Sequence, residues 1–166
     1  MCSSDLKIAY SEENVPLGTA GAVKLCGSGM GSTFVVSNGD ELKDIDLGVM
    51  LAQHRKTRAL ATVALTRVED TTQYGIVEMN GKRIARFVEK PRREDAPSDL
   101  ANAGLYMIEP EVMAMIPDGF VMLEKDTFPK LAAAGKLYGF PFDGQWFDTG
   151  TPERYANAVK KWEGIK

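Results

Sequence analysis

The sequence predicts an α/β fold, a mixed, mostly parallel sheet flanked by helices, and three observations carry that reading. Helical and extended patterns alternate along the 166 residues, which is how helices come to cover a sheet. Two runs, TFVVS at 33–37 and LATVALTRV at 60–68, are continuous apolar or β-branched stretches, the pattern of strands buried on both faces. Several strand ends carry Asp, Glu or Lys, and open α/β sheets place their ligands at such ends.

Taken in order, residues 22–26 read as a short helix closed by the glycine cluster GSGMG. The strand at 33–37 ends in Asn38-Gly39-Asp40. A helix follows over about 47–56, with Leu47, Met50, Leu51 and His54 on one face and Asp44 or Asp46 as its cap. After the strand at 60–68, GIVEMNGKRIARFVEK reads as a hairpin, Asn80-Gly81 supplying the two positive-φ residues of a tight turn. Residues 91–101 are a polar loop and 103–108 a strand. Pro110 opens a short helix. Residues 123–134 form another, in which Pro129 demands a kink or a late start. Residues 137–142 and 145–147 are extended, and Thr151 caps a last helix that stops near Gly164.

Composition narrows the chemistry. Net charge is −3 and the 20 Lys and Arg residues are scattered, so no basic face for nucleic acid is expected. No apolar run approaches a membrane span, and the expectation is a soluble, cytoplasmic protein. Cys2 and Cys26 fit no metal or disulfide spacing. A single histidine, His54, leaves no room for a Ser-His-Asp triad or a histidine zinc site, and in its helical pattern it reads as structural. GSGMGS has Ser32 where the dinucleotide fingerprint needs its last glycine, and neither Gly-Lys pair has the flanks of a P-loop.

Other stretches carry more. In VVSNGD, Gly39 allows backbone to approach a phosphate and Asp40 suits a hard cation such as Mg²⁺. WFDTG offers Asp148 at a second strand end, and two such aspartates can share one Mg²⁺, with carboxylates about 4–6 Å apart. Asp44-Ile45-Asp46 is a DxD, the metal motif of some glycosyltransferases, but its place before an amphipathic helix favours a cap. FVEKP puts Glu89 and Lys90 side by side. A carboxylate suits sugar hydroxyls and a lysine suits phosphate, yet adjacent strand residues face opposite ways unless the strand bends, as Pro91 permits. In NAGLYMI, Asn102 can both donate to and accept from a hydroxyl.

LGTAGA, NGD, YGIVE, FVEKP, NAGLYMI and WFDTGTPERY, in this order and spacing from about residue 16 to 158, resemble the nucleoside-diphosphate-sugar pyrophosphorylases, or sugar-1-phosphate nucleotidylyltransferases. The mannose-1-phosphate guanylyltransferase branch is most similar, then the glucose-1-phosphate thymidylyltransferases. The resemblance implies the Rossmann-like nucleotide-diphospho-sugar transferase fold. It implies that Leu17, Gly18, Thr19 and Gly39 serve the nucleotide, and that Asp40 and Asp148 hold Mg²⁺. By the same resemblance Tyr74, Gly75, Glu89 and Asn102 hold the sugar, and Lys90 holds its phosphate. The implied reaction joins an NTP and a hexose 1-phosphate to give NDP-sugar and pyrophosphate. A carboxylate accepts from both donors of guanine's pairing edge, so Glu13, just before LGTAG, points to GTP. A non-catalytic sugar-nucleotide-binding regulator and a DxD glycosyltransferase are the competing readings.

One departure stands out. The family's opening GxGTRLxPxT motif, which cradles the triphosphate, has no counterpart in the chain. The expectation is an amino-terminally truncated domain over 7–166, inactive alone, with an apolar strip beside the NGD strand that invites a homo-oligomer or the missing portion. Residues 1–6, MCSSDL, are expected to be non-native. Cys2 to Leu6 can be encoded by TGCTCTTCCGATCT, the end of a sequencing adapter. Reading the gene's codons tests this: synonymous codons at 2–6 that depart from that string would remove the adapter origin.

Overall fold

The computed structural model describes residues 7–165, so the reading of residues 1–6 lies outside the described residues. The elements are α1 (Gly18–Gly27), β1 (Phe34–Ser37), β2 (Glu41–Lys43), α2 (Leu47–Thr57), β3 (Ala61–Arg67), β4 (Gly75–Asn80), β5 (Arg83–Glu89), β6 (Leu100–Ile108), α3 (Phe128–Ala133), β7 (Leu137–Pro141), β8 (Trp146–Asp148) and α4 (Pro152–Lys161). Short turns of 3₁₀ helix interrupt the loops. A π-helical turn over Leu123–Thr127 precedes α3, so the helix starts late, with Pro129 in its first turn where a missing N–H costs nothing.

The main sheet runs β1-β6-β3-β7-β5-β4, and β4 also touches β6 through Ile76 and Ala101. Only β3 and β7 are parallel; every other pairing among the described residues is antiparallel. The sheet is therefore mixed, as expected, but not mostly parallel. The 75–89 hairpin is antiparallel by construction, and β6 runs opposite to both β1 and β3.

β3 is the central strand, buried from Ala61 to Thr66. Val63 and Leu65 face a core with Leu123, Phe128 and Leu131. Ala64 faces a smaller core with Met50 of α2, Leu105 and Met107. The buried character expected of TFVVS is not found. Among the described residues β1 pairs with β6 alone, its residues alternate in exposure, and Val35 is 45% exposed. An apolar groove of about 270 Å³ lies beside it, lined by Val23, Cys26, Met30, Phe34 and Val36 among others. This is the strip expected next to the NGD strand.

Local signals held where they rest on one side chain. Asp46 caps α2 by accepting from the Val49 amide at 3.0 Å, and Thr151 caps α4 by accepting from the Arg154 amide at 3.2 Å. The hairpin turn differs from expectation. Its central residues are Gly81 and Lys82, and only Gly81 has a positive φ, 60°, the pattern of a turn with glycine at its first central position. His54 is fully buried, with Nδ1 2.7 Å from Thr62 Oγ1 and Nε2 2.9 Å from Glu109 Oε1, a structural role as expected.

β6 is broken at Gly104, whose φ is 56°. A Cβ there would strike the side chains of Glu41 and Asn38. Gly104→Ala should destabilise the protein by about 1–3 kcal/mol, since left-handed strain and crowding add. Gly81 has similar φ but open space around it, so Gly81→Ala should cost only about 1 kcal/mol. Urea midpoints of the two variants would reverse or equalise if crowding at Gly104 were absent.

Candidate active site

A cavity of about 240 Å³ opens beside the first residues of α1, β4 and β6. Its lining brings together Thr19, Tyr74, Gly75, Glu89 and Asn102, five residues picked out in the sequence. Gly75 and Glu89 are register partners across the hairpin. A Cβ on Gly75 would lie 3.0 Å from Glu89 Oε2, so the glycine keeps that carboxylate close to the wall. Gln73, Met122, Glu124 and Lys125 complete the lining, and sequence reading missed them. They lie in the 3₁₀ turn before Tyr74 and in the π-helical turn and the residue before it. The only available signal was the charged run Glu124-Lys125-Asp126 directly after the apolar stretch at 120–123.

Glu124 ties the cavity together. Its Oε2 accepts from Thr19 Oγ1 at 3.0 Å, and its Oε1 accepts from the Tyr106 hydroxyl at 3.3 Å. Tyr106 in turn accepts from Asn102 Nδ2 at 2.9 Å, while Asn102 Oδ1 accepts from the Gly104 amide at 3.0 Å. Thr19 Oγ1 accepts from the Leu123 amide at 2.8 Å. Side chains from three segments are thus fixed before any ligand binds. Burial, then the nearby Glu124 carboxylate, pushes the Tyr106 hydroxyl far above its ordinary pKa, so it remains a donor.

Gly18 has φ 70°, and a Cβ there would sit 2.6 Å from Val121 O; only glycine lets α1 begin against that carbonyl. The Ala20 amide donates to the same oxygen at 2.9 Å. Glu13 Oε2 accepts from the Leu17 amide at 2.9 Å, which holds the carboxylate at the entrance to α1. Leu17 lines a neighbouring groove with Gly21, Lys24 and Gly119.

Asp40 and Asp148 lie at the same end of the antiparallel β2–β8 ribbon, one just before β2 and the other at the end of β8. Asp148 pairs in register with Glu41, and Asp40 O accepts from both the Thr149 amide and Thr149 Oγ1 at 2.8 Å. Asp40 Oδ2 and Asp148 Oδ1 each lie 3.2 Å from the point where a Cβ of Gly150 would be. The two oxygens are therefore within twice that distance of each other. Asp148 is already engaged: Oδ1 accepts from the Gly150 amide at 2.8 Å and Oδ2 from Arg154 Nη1 at 2.5 Å. The Arg154 guanidinium also lies over the Tyr74 ring, 5.7 Å from its centre, and Tyr74 packs edge-on against Trp146. Tyr74 thereby joins the aspartate pair to the cavity. Burial, followed by several nearby carboxylates, raises the Tyr74 hydroxyl's pKa against the lowering effect of Arg154.

Two carboxylates facing one point fit a hard cation that takes its other ligands from phosphate and water, the usual habit of Mg²⁺. Among the described residues no group of three or more His, Cys, Asp or Glu could hold a metal by itself. The adjacent Glu41 is committed elsewhere, accepting from Asn38 Nδ2 and Trp146 Nε1 at 3.0 Å and pairing with Lys43 at 3.2 Å.

Among the described residues Lys90 is one of two non-glycine residues with positive φ, 46°, and its amide donates to Tyr74 O at 3.1 Å. This is the bend that FVEKP required if Glu89 and Lys90 were to serve one site. Glu89 lines the cavity; exposed Lys90, Gly39 and Asp40 do not. No helix is long and apolar enough to cross a membrane among the described residues.

The chain thus presents a mixed α/β sheet with a prearranged polar cavity beside a carboxylate pair. The chain belongs to the nucleotidyl transferase family, whose model matches residues 3–164. It is 41% identical over 155 residues to mannose-1-phosphate guanylyltransferase of Mycobacterium tuberculosis, covering 90% of this chain and 43% of that protein. It is 36% identical over 162 residues to mannose-1-phosphate guanylyltransferase 1 of Arabidopsis thaliana, covering 94% and 44%. Among solved structures, HddC from Yersinia pseudotuberculosis complexed with GMP-PN matches with a TM-score of 0.74 at 27% identity, covering 91% of this chain and 65% of that one. The chain spans less than half the length of the curated relatives it matches.

The raised Tyr106 pKa has a definite sign. A group whose folded pKa lies above its unfolded value of 10.0 contributes stability that is fully present below that pH and is lost as pH rises past it. Tyr106→Phe should cost about 1 kcal/mol near neutrality through lost hydrogen bonds, but its stability should fall less steeply than the parent's above pH ~10. Urea unfolding at neutral and alkaline pH reads both; equal alkaline slopes would exonerate Tyr106.

Proposed function

We propose that this domain works as a sugar-1-phosphate nucleotidylyltransferase, transferring a nucleotidyl group to a hexose 1-phosphate, with GTP and mannose 1-phosphate as the favoured pair. The observation that carries the reading is the cavity uniting Thr19, Tyr74, Gly75, Glu89 and Asn102 next to the Asp40–Asp148 pair. The names of its relatives, two of them mannose-1-phosphate guanylyltransferases, support the choice of substrates.

In this reading a phosphate oxygen of the sugar 1-phosphate attacks the α-phosphorus of the NTP and pyrophosphate leaves. The nucleophile is already an anion, so the protein supplies alignment and charge neutralisation rather than a base. Glu89 and Asn102 hold sugar hydroxyls, and the Gly75 amide donates to another. Lys90 holds the phosphate from the bend at the end of β5. Mg²⁺, held by Asp40 and Asp148, would supply charge neutralisation to the reacting phosphates. Thr19, Gly18, Leu17 and Gly39 border the nucleotide. Glu13, anchored by the Leu17 amide, keeps acceptor capacity on both oxygens for guanine's N1–H and N2–H₂.

Calorimetric titration with mannose 1-phosphate tests the sugar side. Lys90→Ala should weaken binding about tenfold or more, the worth of a charge-assisted hydrogen bond. Glu13→Gln should weaken GTP relative to dTTP. Sugar phosphate bound equally well without Lys90, or an unchanged base preference, would remove the corresponding residue from its role.

A further inference from the structure

We infer that Arg154 is a resident counter-ion of the aspartate pair, a cation that a divalent metal must displace from Asp148. The inference rests on the reading of Asp40 and Asp148 as the metal carboxylates. Nothing in the six sequence motifs assigns Arg154 a role. Its side chain springs from the first turn of α4, one residue after Glu153 and three after the Thr151 cap. That cap fixes the turn, so the guanidinium arrives with defined direction. It donates to Asp148 Oδ2 at 2.5 Å and spreads over Tyr74, 5.7 Å from the ring centre.

The electrostatics follow from the positions. Asp40 Oδ2 and Asp148 Oδ1 face a common point beside Gly150. Two carboxylates so close repel each other, and a guanidinium on one of them relieves the repulsion in the empty site. The Asp148 side chain is 19% exposed and that of Arg154 36%, so the pair is sheltered but open enough to exchange. A bare ion approaching Asp148 therefore meets a cation already in place and must break a charge-assisted bond to enter. An ion that arrives on phosphates brings negative charge of its own, to which Arg154 can transfer from its position over Tyr74 at the cavity's edge. Arg154 thus acts as a positioning residue that favours metal bound to substrate over metal alone.

The test is Mn²⁺ binding to the 166-residue chain without nucleotide, read as free-ion signal by electron paramagnetic resonance. R154Q should bind Mn²⁺ about fivefold more tightly, the scale of a partly exposed ion pair. R154M, with similar bulk and no charge, should behave the same, and R154K should stay near the parent. D148N should abolish the site in either background. Mn²⁺ affinity unchanged or weakened in both uncharged variants, with D148N still abolishing binding, would overturn the counter-ion role alone. Binding that survives D148N would overturn the metal reading and the inference with it.

Discussion

The site depends on a kink in β6. At Gly104 the backbone takes a φ of 56°, open to glycine and strained for residues with a Cβ. Before the kink, Leu100 to Asn102 pair with β3, Ala101 also meets β4, and Asn102 reaches the cavity. After it, Leu105 to Ile108 pair with β1 and lead the NGD loop to its place. The Asn38 amide donates to Gly104 O at 2.8 Å, and the Gly104 amide donates to Asn102 Oδ1 at 3.0 Å. One missing side chain thus sets Asn102 and the Asn38–Asp40 loop against each other.

The cavity is preorganised at little cost in exposed charge. Glu124 sits among donors from Thr19 and Tyr106 rather than facing solvent alone, which is how a carboxylate near a core avoids a large desolvation penalty. The same bonds tie α1 to β6 through the segment before α3, so both walls of the cavity share one frame. Tyr106 also packs edge-on with Phe128, 5.2 Å between ring centres, anchoring the polar network in the main core. Hydroxyl-binding groups gain affinity when their rotamers are fixed beforehand, because binding then orders less.

Strain is concentrated where the chemistry is proposed. Of the two non-glycine positive-φ residues, Arg58 closes α2, an ordinary end for a helix. Lys90 has no such excuse: it follows a strand and precedes a proline. A left-handed lysine costs about 1–3 kcal/mol, and such residues gather at binding sites. Its amide bond to Tyr74 O holds both ends of the hairpin in register, so the strained bend and the cavity wall are one feature.

The sequence by itself determined what single residues and short periods can specify. Asp44 or Asp46 had to cap the second helix and Thr151 the last, Pro129 demanded a kink or a late helix start, and LATVALTRV had to be a strand. Six ordered motifs were enough to indicate the family and five of the cavity's residues. What the tertiary structure decided was everything that depends on which strands meet. TFVVS has the composition of a central strand, yet it lies at an edge because only β6 pairs with it; composition reports burial preference, not neighbours. The sheet is mixed because strand direction is fixed by connections, which periodicity does not record. Glu124 lies outside the six motifs, and Tyr106 and Arg154, though inside NAGLYMI and WFDTGTPERY, were given no role there. They became visible only when partners 18, 105 or 6 residues away in sequence were brought within hydrogen-bonding distance, since a contact of that kind is a property of the packed chain.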